Sequence, residues 1–449
     1  MKKIFQYIML AVVTIVMASC TSDIEETTAT TGKSNVQLVV GEFPAFGDSQ
    51  TRAIGTPDPG KTSWAEGDEL LLEMTSKTFG TKYAAFTYNG SSWELTSGEL
   101  SYKIDEVPTF PHVYYAPNYK WEAGKLVLKE GKVAGTDEYI EGNANITPNG
   151  QAITVEFSKA TRNYSRLRIA TMPNKPITVD INQYTPAGSS DMKLDQNYAL
   201  TSDENGNAYL YGTFENNSEV TVKYREAALT TYTFSQATES AKSYALDATV
   251  VSVNSAEEIK SAIEQKVADG KTTIRLNLAP NAGTDEFMAI REAIKGAAPN
   301  DEGTIELTII GVETIPEEAF KRMSQLKSVK MPDVKEIKKY AFSECRYLTV
   351  VEAPSLNKLN SGAFDKCNLL SKLTFGPINY ADARYWPIFE DITPNIDLIL
   401  SDYQKEMIET DDNLYTANND IDYADSNKHW NKNFLGREFK SITCRFKVE

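Results

Sequence analysis

Apolar and polar positions follow one pattern three times in succession between Gly311 and Gly376. Each copy is 22 residues long, and apolar side chains recur at equivalent slots in every copy. Four of these slots hold Phe320, Phe342 and Phe364; Met323, Cys345 and Cys367; Leu326, Leu348 and Leu370; and Val329, Val351 and Leu373. A fixed period in the twenties predicts a stack of short units that bury a shared core.

Each copy predicts one turn and one strand. The Ala-Phe pair falls on a short helical turn, and the stretch after the leucine slot has alternating apolar positions that face the core. The side chains between these positions face outward and form two rows along the stack. One row is Lys330, Glu352 and Thr374, and the other is Ser328, Val350 and Lys372. We take these rows as the candidate partner-binding face.

The copies resemble the BspA-type leucine-rich repeats of surface proteins from anaerobic bacteria. The signature Ala-Phe-x-x-Cys-x-x-Leu is complete in the second and third copies, and Met323 replaces the cysteine in the first. The resemblance implies an α/β leucine-rich-repeat solenoid that binds a partner and performs no chemistry. We assign residues 251–449 to this domain, including its caps.

Two helix–strand units precede the repeats. A linker is expected from Ala237 to Ser255, and Ser255 then caps a helix from Ala256 to Ala268. A strand over 273–278, a helix over 285–295 and a strand over 304–310 follow. These units predict the N-terminal cap of the stack. Residues 385–400 resemble a degenerate fourth copy, and the segment to Glu449 predicts a C-terminal cap.

Short β-prone runs separated by Gly, Asn, Pro and Asp fill the chain before residue 250. They are Leu70–Glu73, Tyr83–Tyr88, Lys125–Lys129, Ile153–Phe157, Arg166–Thr171, Ile177–Ile181, Tyr209–Phe214 and Glu219–Tyr224. This spacing is typical of antiparallel sandwiches, so we expect one over 36–150 and another over 151–250. The aromatic run from Tyr102 to Trp121 either stacks on sugars or fills the core, and the core interpretation is favoured.

Two motifs in this part resemble the fimbrillin family of Mfa-like and FimA-like pilins and anchors. One is Thr51-Arg52-Ala53 followed by Trp64-Ala-Glu-Gly-Asp and an apolar run, and the other is Ile153–Phe157 with Lys159-Ala160, where the family usually has His-Ala. The resemblance implies two transthyretin-like sandwiches and cleavage between Arg52 and Ala53 by an arginine-specific protease. Such a cut removes the strand at 36–40 and opens a groove for a strand of another subunit. An ordinary exposed loop is the alternative.

The N-terminus has the pattern of a bacterial lipoprotein signal peptide over residues 1–20. Lys2 and Lys3 precede an apolar run, and Met17-Ala-Ser-Cys20 resembles a lipobox in which Cys20 receives the lipid. A membrane-spanning helix is disfavoured, because the run is short and a polar tract follows. Residues 21–35 form a flexible tether, and their early acidic residues resemble a signal for export to the cell surface. We therefore expect a lipid anchor in the outer membrane, facing the exterior.

Charge and composition narrow the function further. The formal net charge of −16 disfavours nucleic acids and anionic membranes, so contact with a membrane is expected through the lipid only. The pattern from Gly55 to Thr62 matches a phosphate-binding loop, but prolines remove the amides that such a loop uses. The acidic stretch around Asp420 lacks the turn glycine and the final glutamate of a calcium loop. No cofactor, metal or catalytic residue is expected, and the chain is expected not to be an enzyme.

Three cysteines follow Cys20 in the sequence. Cys345 and Cys367 occupy equivalent slots about one strand spacing apart, roughly 5 Å, which is compatible with a disulfide. Two buried thiols in a ladder are favoured, because cysteine packs as a small apolar group. Cys444 is the third.

Three functions remain. The first is a surface-anchored adhesin in which the β domains act as a stalk and the repeats bind a protein or glycan on a host or bacterial surface. The second is an accessory or tip subunit of a fimbria, cut at Arg52 and assembled with other subunits by strand exchange. The third is a lipoprotein that binds or hydrolyses glycans, for which an aromatic platform beside carboxylates would be the signature. We favour the first.

Overall fold

The computed structural model describes residues 37–46, 60–103, 106–146, 152–158, 161–381, 388–389, 391–392, 395–401, 433–434 and 437–446. These residues are mostly β, in several sheets, which agrees with a multidomain β protein. Three large sheets follow one another along the chain, and their strands run from 37 to 157, from 165 to 247 and from 251 to 446.

The first sheet and its accessory hairpin contain nine strands. They are β1 (Gln37–Val40), β2 (Glu69–Ser76), β3 (Gly80–Tyr88), β4 (Trp93–Gly98), β5 (Thr109–Tyr115), β6 (Tyr119–Glu122), β7 (Lys125–Leu128), β8 (Ile140–Ile146) and β9 (Ala152–Phe157). Seven of them form one sheet in the order β1-β9-β8-β5-β2-β3-β4, and β6 and β7 pair only with each other. The edge strand β1 runs parallel to β9. Cα atoms of β1 come within 8 Å of β4, so the sheet curves around its core.

The second sheet contains β10 (Ser165–Ala170), β11 (Pro176–Pro186), β12 (Lys193–Thr201), β13 (Asn207–Phe214), β14 (Glu219–Tyr224), β15 (Ala227–Thr233) and β16 (Ser243–Asp247). Its order is β15-β14-β11-β13-β10-β16, with β12 paired to β11. Successive residues of β13 and β14 alternate strictly between buried positions and half-buried or exposed ones, which is the period of a strand with one face on the core.

The third part contains β17 (Val251–Val253), α1 (Ala256–Ala268), β18 (Thr273–Leu278), α2 (Thr284–Ala297), β19 (Ile305–Ile310), β20 (Thr314–Ile315), β21 (Leu326–Lys330), β22 (Glu336–Ile337), β23 (Val350–Ala353), β24 (Lys358–Leu359), β25 (Lys372–Phe375), β26 (Tyr380–Ala381), β27 (Asp397–Ser401), β28 (Asn433–Phe434), β29 (Arg437–Glu438) and β30 (Ser441–Phe446). Eight of these strands form a sheet in the order β17-β18-β19-β21-β23-β25-β27-β30. Four two-residue strands form a second sheet, β20-β22-β24-β26. Neighbouring strands in both sheets run parallel.

The predicted helices and strands before the repeats are confirmed. The Ser255 hydroxyl accepts a hydrogen bond from the Glu258 amide at 3.2 Å and caps α1, whose bounds are those predicted. The second helix is one residue longer at its start and two at its end than predicted. The linker prediction over 237–255 was wrong, because β16 and β17 lie there and bury Leu246 and Val253. Both strands pair in parallel with strands distant in sequence, which a local pattern does not reveal.

A buried polar cluster joins the first sheet to the second. The Arg162 guanidinium donates to both carboxylate oxygens of Glu138, at 3.0 and 3.2 Å, and the Tyr164 hydroxyl donates to Glu138 at 2.6 Å. Arg162 also donates to the Pro44 carbonyl, and its guanidinium carbon lies 4.1 Å from the centre of the Phe46 ring. The segment that follows β1 is therefore fixed against the start of the second sheet.

Candidate binding face of the repeat region

The 22-residue copies place equivalent residues side by side. Val329 of β21 pairs with Val351 of β23, which pairs with Leu373 of β25, and all three side chains are buried. The next strand, β27, continues the series with Leu398 beside Leu373. Each copy thus adds one parallel strand to this sheet and one layer of core.

The phenylalanine slot forms a column of stacked rings. The Phe320 and Phe342 ring centres lie 5.2 Å apart with planes 20° from parallel, and those of Phe342 and Phe364 lie 5.4 Å apart at 7°. Phe389 continues the column 5.5 Å beyond Phe364. The turns that carry the rings are linked by backbone hydrogen bonds, since the Phe320 amide donates to the Ala341 carbonyl at 2.7 Å.

The cysteine slot holds two buried thiols, and no disulfide joins them. Cys345 donates to the Phe320 carbonyl at 2.9 Å, and Cys367 donates to the Phe342 carbonyl at 3.1 Å. Burial raises the pKa of Cys345 to about 12 and raises that of Cys367 well above its ordinary value. The thiols therefore stay protonated and serve as hydrogen-bond donors between successive copies. Cys444 lies on β30, is half-buried and is in no disulfide.

The six outward residues named from the sequence lie on β21, β23 and β25. Ser328, Val350 and Lys372 are register partners in one row, and Lys330, Glu352 and Thr374 are neighbours in the other. Glu352 lies between two ammonium groups, with its oxygens 3.9 Å from Lys330 Nζ and 3.9 Å from Lys372 Nζ. The carboxylate is 16% exposed, whereas the Lys372 side chain is 43% exposed.

The strand at the start of this face contacts the second sheet. Lys330 Nζ donates to the Ala228 carbonyl of β15 at 2.7 Å, and Arg225, in the turn before β15, forms a 3.1 Å ion pair with Asp333. Ser328 in the same strand is only 7% exposed. The accessible part of the two rows is therefore on β23 and β25, from Val350 onward.

The same contact extends to the strands before the repeats. Arg275 Nε of β18 donates to the Leu229 carbonyl at 2.9 Å, and Ile310 of β19 packs into the hydrophobic core of the second sheet. Sequence reasoning did not predict this contact. The residues that form it are distant in sequence and carry no common motif.

Other candidate chemistry can be placed only in part. Cys20, Arg52 and Ala53 lie outside the described residues, as do Asp420 and its neighbours. In the described ranges, no group of three or more His, Cys, Asp or Glu side chains is arranged to hold a metal ion. No helix within the same ranges has both the length and the apolar character needed to cross a membrane.

Comparison with known proteins bears on the repeats. No curated protein matched the chain. Residues 304–385 match a family model described as "BspA type Leucine rich repeat region (6 copies)". The match covers strands β19 to β26, which include the three 22-residue copies and the outward rows. Repeats of this type suggest a surface module for protein interaction. Residues 304–385 are therefore a BspA-type leucine-rich repeat region.

Proposed function

We propose that the protein is a surface-anchored lipoprotein that acts in adhesion through its repeat region. The main support for this proposal is the set of side chains on the outward surface of β23 and β25. Polar and charged side chains there project from a backbone that successive copies hold in register. Parallel sheets of this kind suit recognition of a large surface, because neighbouring residues contribute together and no deep pocket is needed.

The partner-facing residues are expected to be Val350, Glu352, Lys372 and Thr374. Lys330 and Ser328 lie on the neighbouring strand β21. Lys330 is hydrogen-bonded to the second sheet and Ser328 is buried, which limits their access to a partner. Because Lys372 is the more exposed of the two lysines beside Glu352, it is the residue best placed to bind a macromolecule.

Binding of the full mature chain, with Cys20 replaced, to arrays of immobilised host and bacterial surface proteins tests this proposal. Lys372→Ala and Thr374→Ala should each weaken binding to any captured protein about tenfold, while leaving thermal stability unchanged. Lys335→Ala is the matched control, because Lys335 is an exposed lysine beside the other sheet of the repeats. Unchanged affinity in both face variants would exclude this surface as the binding site.

The membrane anchor is a separate part of the proposal. The signal-peptide pattern and Cys20 support lipidation and an outer-membrane location facing the exterior. Metabolic labelling with a fatty-acid analogue should mark the wild-type chain and leave Cys20→Ala unmarked. Equal labelling of the two chains would contradict lipidation at Cys20.

We interpret the two N-terminal sheets as fimbrillin-like, transthyretin-type sandwiches that act as a stalk, and the third part as a solenoid capped by α1, α2 and β30. The parallel register from β17 to β30 supports the solenoid. The mostly antiparallel pairing within each of the two N-terminal sheets supports the sandwich interpretation.

A second candidate function is that of a fimbrial subunit processed at Arg52. The supporting observation is that β1 is an edge strand paired only with β9, while Leu38 fills part of the core. Loss of β1 would leave an open groove beside β9 that a strand of another subunit can fill. Digestion with an arginine-specific protease should then yield a new N-terminus at Ala53 and larger assemblies. A resistant Arg52 and a stable monomer favour the anchored adhesin.

A further inference from the structure

The outer face of the first sheet carries a group of aromatic side chains beside the β6–β7 hairpin. This aromatic patch consists of Tyr83, His112, Tyr114, Trp121 and Tyr139. The Tyr83 and Trp121 ring centres lie 4.7 Å apart, and Tyr114 lies 6.2 Å from Trp121 and 5.3 Å from Tyr139. The His112 ring is stacked on Tyr114 at 5.7 Å, with planes 9° apart. Rings from β3, β5, the β6–β7 hairpin and the residue before β8 thus form one continuous surface.

The hairpin turn holds Trp121 in this position. Ala123 and Gly124 both have positive φ, 49° and 74°, as a tight two-residue turn requires. A side chain at Gly124 would begin 3.2 Å from the Tyr83 hydroxyl oxygen. Glycine therefore lets the turn approach Tyr83 and brings Trp121 against that ring.

The patch is only partly covered. Leu71, Ala85 and Tyr119 form a buried floor, whereas the five rings of the patch remain half-buried or exposed. The indole N–H of Trp121 is shielded from solvent and has no acceptor among the described residues. The solvent-exposed part of the Trp121 ring is therefore entirely apolar. A floor made only for stability would not require the rings above it to stay exposed.

Carboxylates border the rings. His112 Nδ1 lies 3.2 Å from Glu141 Oε1 and 3.0 Å from the Tyr114 hydroxyl. Glu73 of β2 is the register partner of both Tyr83 and His112, so its backbone position lies between those two rings. His112 and Glu141 are about half exposed, with side-chain exposures of 48% and 50%. Hydrogen-bonding groups thus adjoin flat apolar surfaces.

We propose that the aromatic patch is a binding site for a neutral glycan. A sugar ring has an apolar C–H face, which packs on the electron-rich face of Trp or Tyr, and hydroxyls at its edge, which donate to carboxylates. The bordering glutamates disfavour anionic ligands such as uronic-acid polymers or nucleic acids. The site lies on the first sheet and is independent of the proposed function of the repeats.

Affinity gel electrophoresis of the full mature chain tests the site with four polysaccharides: amylopectin, arabinoxylan, galactomannan and the anionic polygalacturonate. At least one neutral polysaccharide should retard the protein, and polygalacturonate should not. Trp121→Ala and Tyr83→Ala should each lower the affinity about tenfold, and Glu141→Gln about threefold. Tyr232→Ala is the matched control, because Tyr232 is an exposed aromatic residue on β15 of the second sheet. It should bind like the wild type.

Three results would overturn the proposal. One is the absence of retardation by every neutral polysaccharide, and another is retardation confined to polygalacturonate. The third is unchanged affinity in the patch variants. If circular dichroism shows that Trp121→Ala does not fold, the affinity of His112→Ala is measured instead, since the exposed His112 side chain supports no core. Unchanged affinity in His112→Ala would then overturn the proposal. Lys372→Ala should be retarded like the wild type, because Lys372 is not part of the aromatic patch. Glycan binding by the patch can therefore be tested separately from partner binding by the repeat face.

Discussion

Removal of the central ring of the phenylalanine column should destabilise the repeat region strongly. Phe342 is fully buried and stacks on Phe320 on one side and on Phe364 on the other. Phe342→Ala leaves a cavity between two copies and removes both ring contacts. A buried Phe→Ala change costs about 3–5 kcal/mol, and each aromatic pair contributes about 0.5–1.5 kcal/mol beyond its buried area. We therefore expect a loss in the upper half of that range, about 4–5 kcal/mol.

Two further variants separate the lost volume from other effects. Phe342→Leu also removes both ring contacts but retains most of the volume, so it should cost about 1–3 kcal/mol, less than Phe342→Ala. Leu369→Ala changes a side chain in the third copy that is 53% exposed, so its effect should stay within about 0.5 kcal/mol.

Hydrogen exchange measured by mass spectrometry locates the loss. Peptides from residues 311–381 should exchange much faster in Phe342→Ala, because each copy is stabilised by its neighbours. Peptides of β2 and β3 in the first sheet should exchange as in the wild type. A loss below about 1.5 kcal/mol, or equal acceleration in the first sheet, would refute the stacked-column reasoning.

Three further outcomes are expected. At pH 8 a thiol reagent should modify Cys444 but not Cys345 in the native mature chain. The pKa of Cys345, about 12, keeps its thiol protonated, and burial blocks access to it; unfolding should make both cysteines reactive. Ser255→Ala should cost about 1 kcal/mol through loss of the α1 cap, measured by urea unfolding, and Ser255→Asp should restore it. Glu138→Ala should cost about 3–5 kcal/mol, because it leaves the buried Arg162 charge without its carboxylate, and thermal unfolding measures that loss. Rapid labelling of Cys345 in the native chain would contradict the first expectation. An unchanged urea midpoint for Ser255→Ala would contradict the second, and a loss of stability below about 1 kcal/mol for Glu138→Ala would contradict the third.

The sequence predicted elements well where one local pattern determines them. The spacing of Phe320, Phe342 and Phe364 predicted a stack of parallel strands, because a repeated unit can bury its apolar face only on its neighbour. Ser255 and the acidic first turn predicted the start of α1. All eight β-prone runs named before residue 250 are strands, although β11 extends five residues beyond its prediction, to Pro186.

Features set by contacts distant in sequence were not predictable in this way. Strand β12 is mostly polar and buries Tyr198 alone, so its alternation is too weak to recognise. The hydrogen bond from Lys330 to β15 joins residues 102 positions apart, and no pattern in either segment indicates it. The aromatic run from 102 to 121 was interpreted as core. That interpretation holds for Tyr115 and Tyr119, whereas Tyr114 and Trp121 are only partly buried.

The backbone bonds between turns have an evolutionary consequence. Apart from the first copy, which also contacts the second sheet, each copy is joined to the copy before and the copy after through the same set of contacts. A 22-residue duplication within the gene therefore inserts a unit whose two neighbours already fit it. Recombination between copies can thus lengthen or shorten the outward surface in steps of one strand without redesign of the rest of the chain. The contact between Lys330 and β15 fixes the first strand of that surface, so diversity among relatives should accumulate on its C-terminal side.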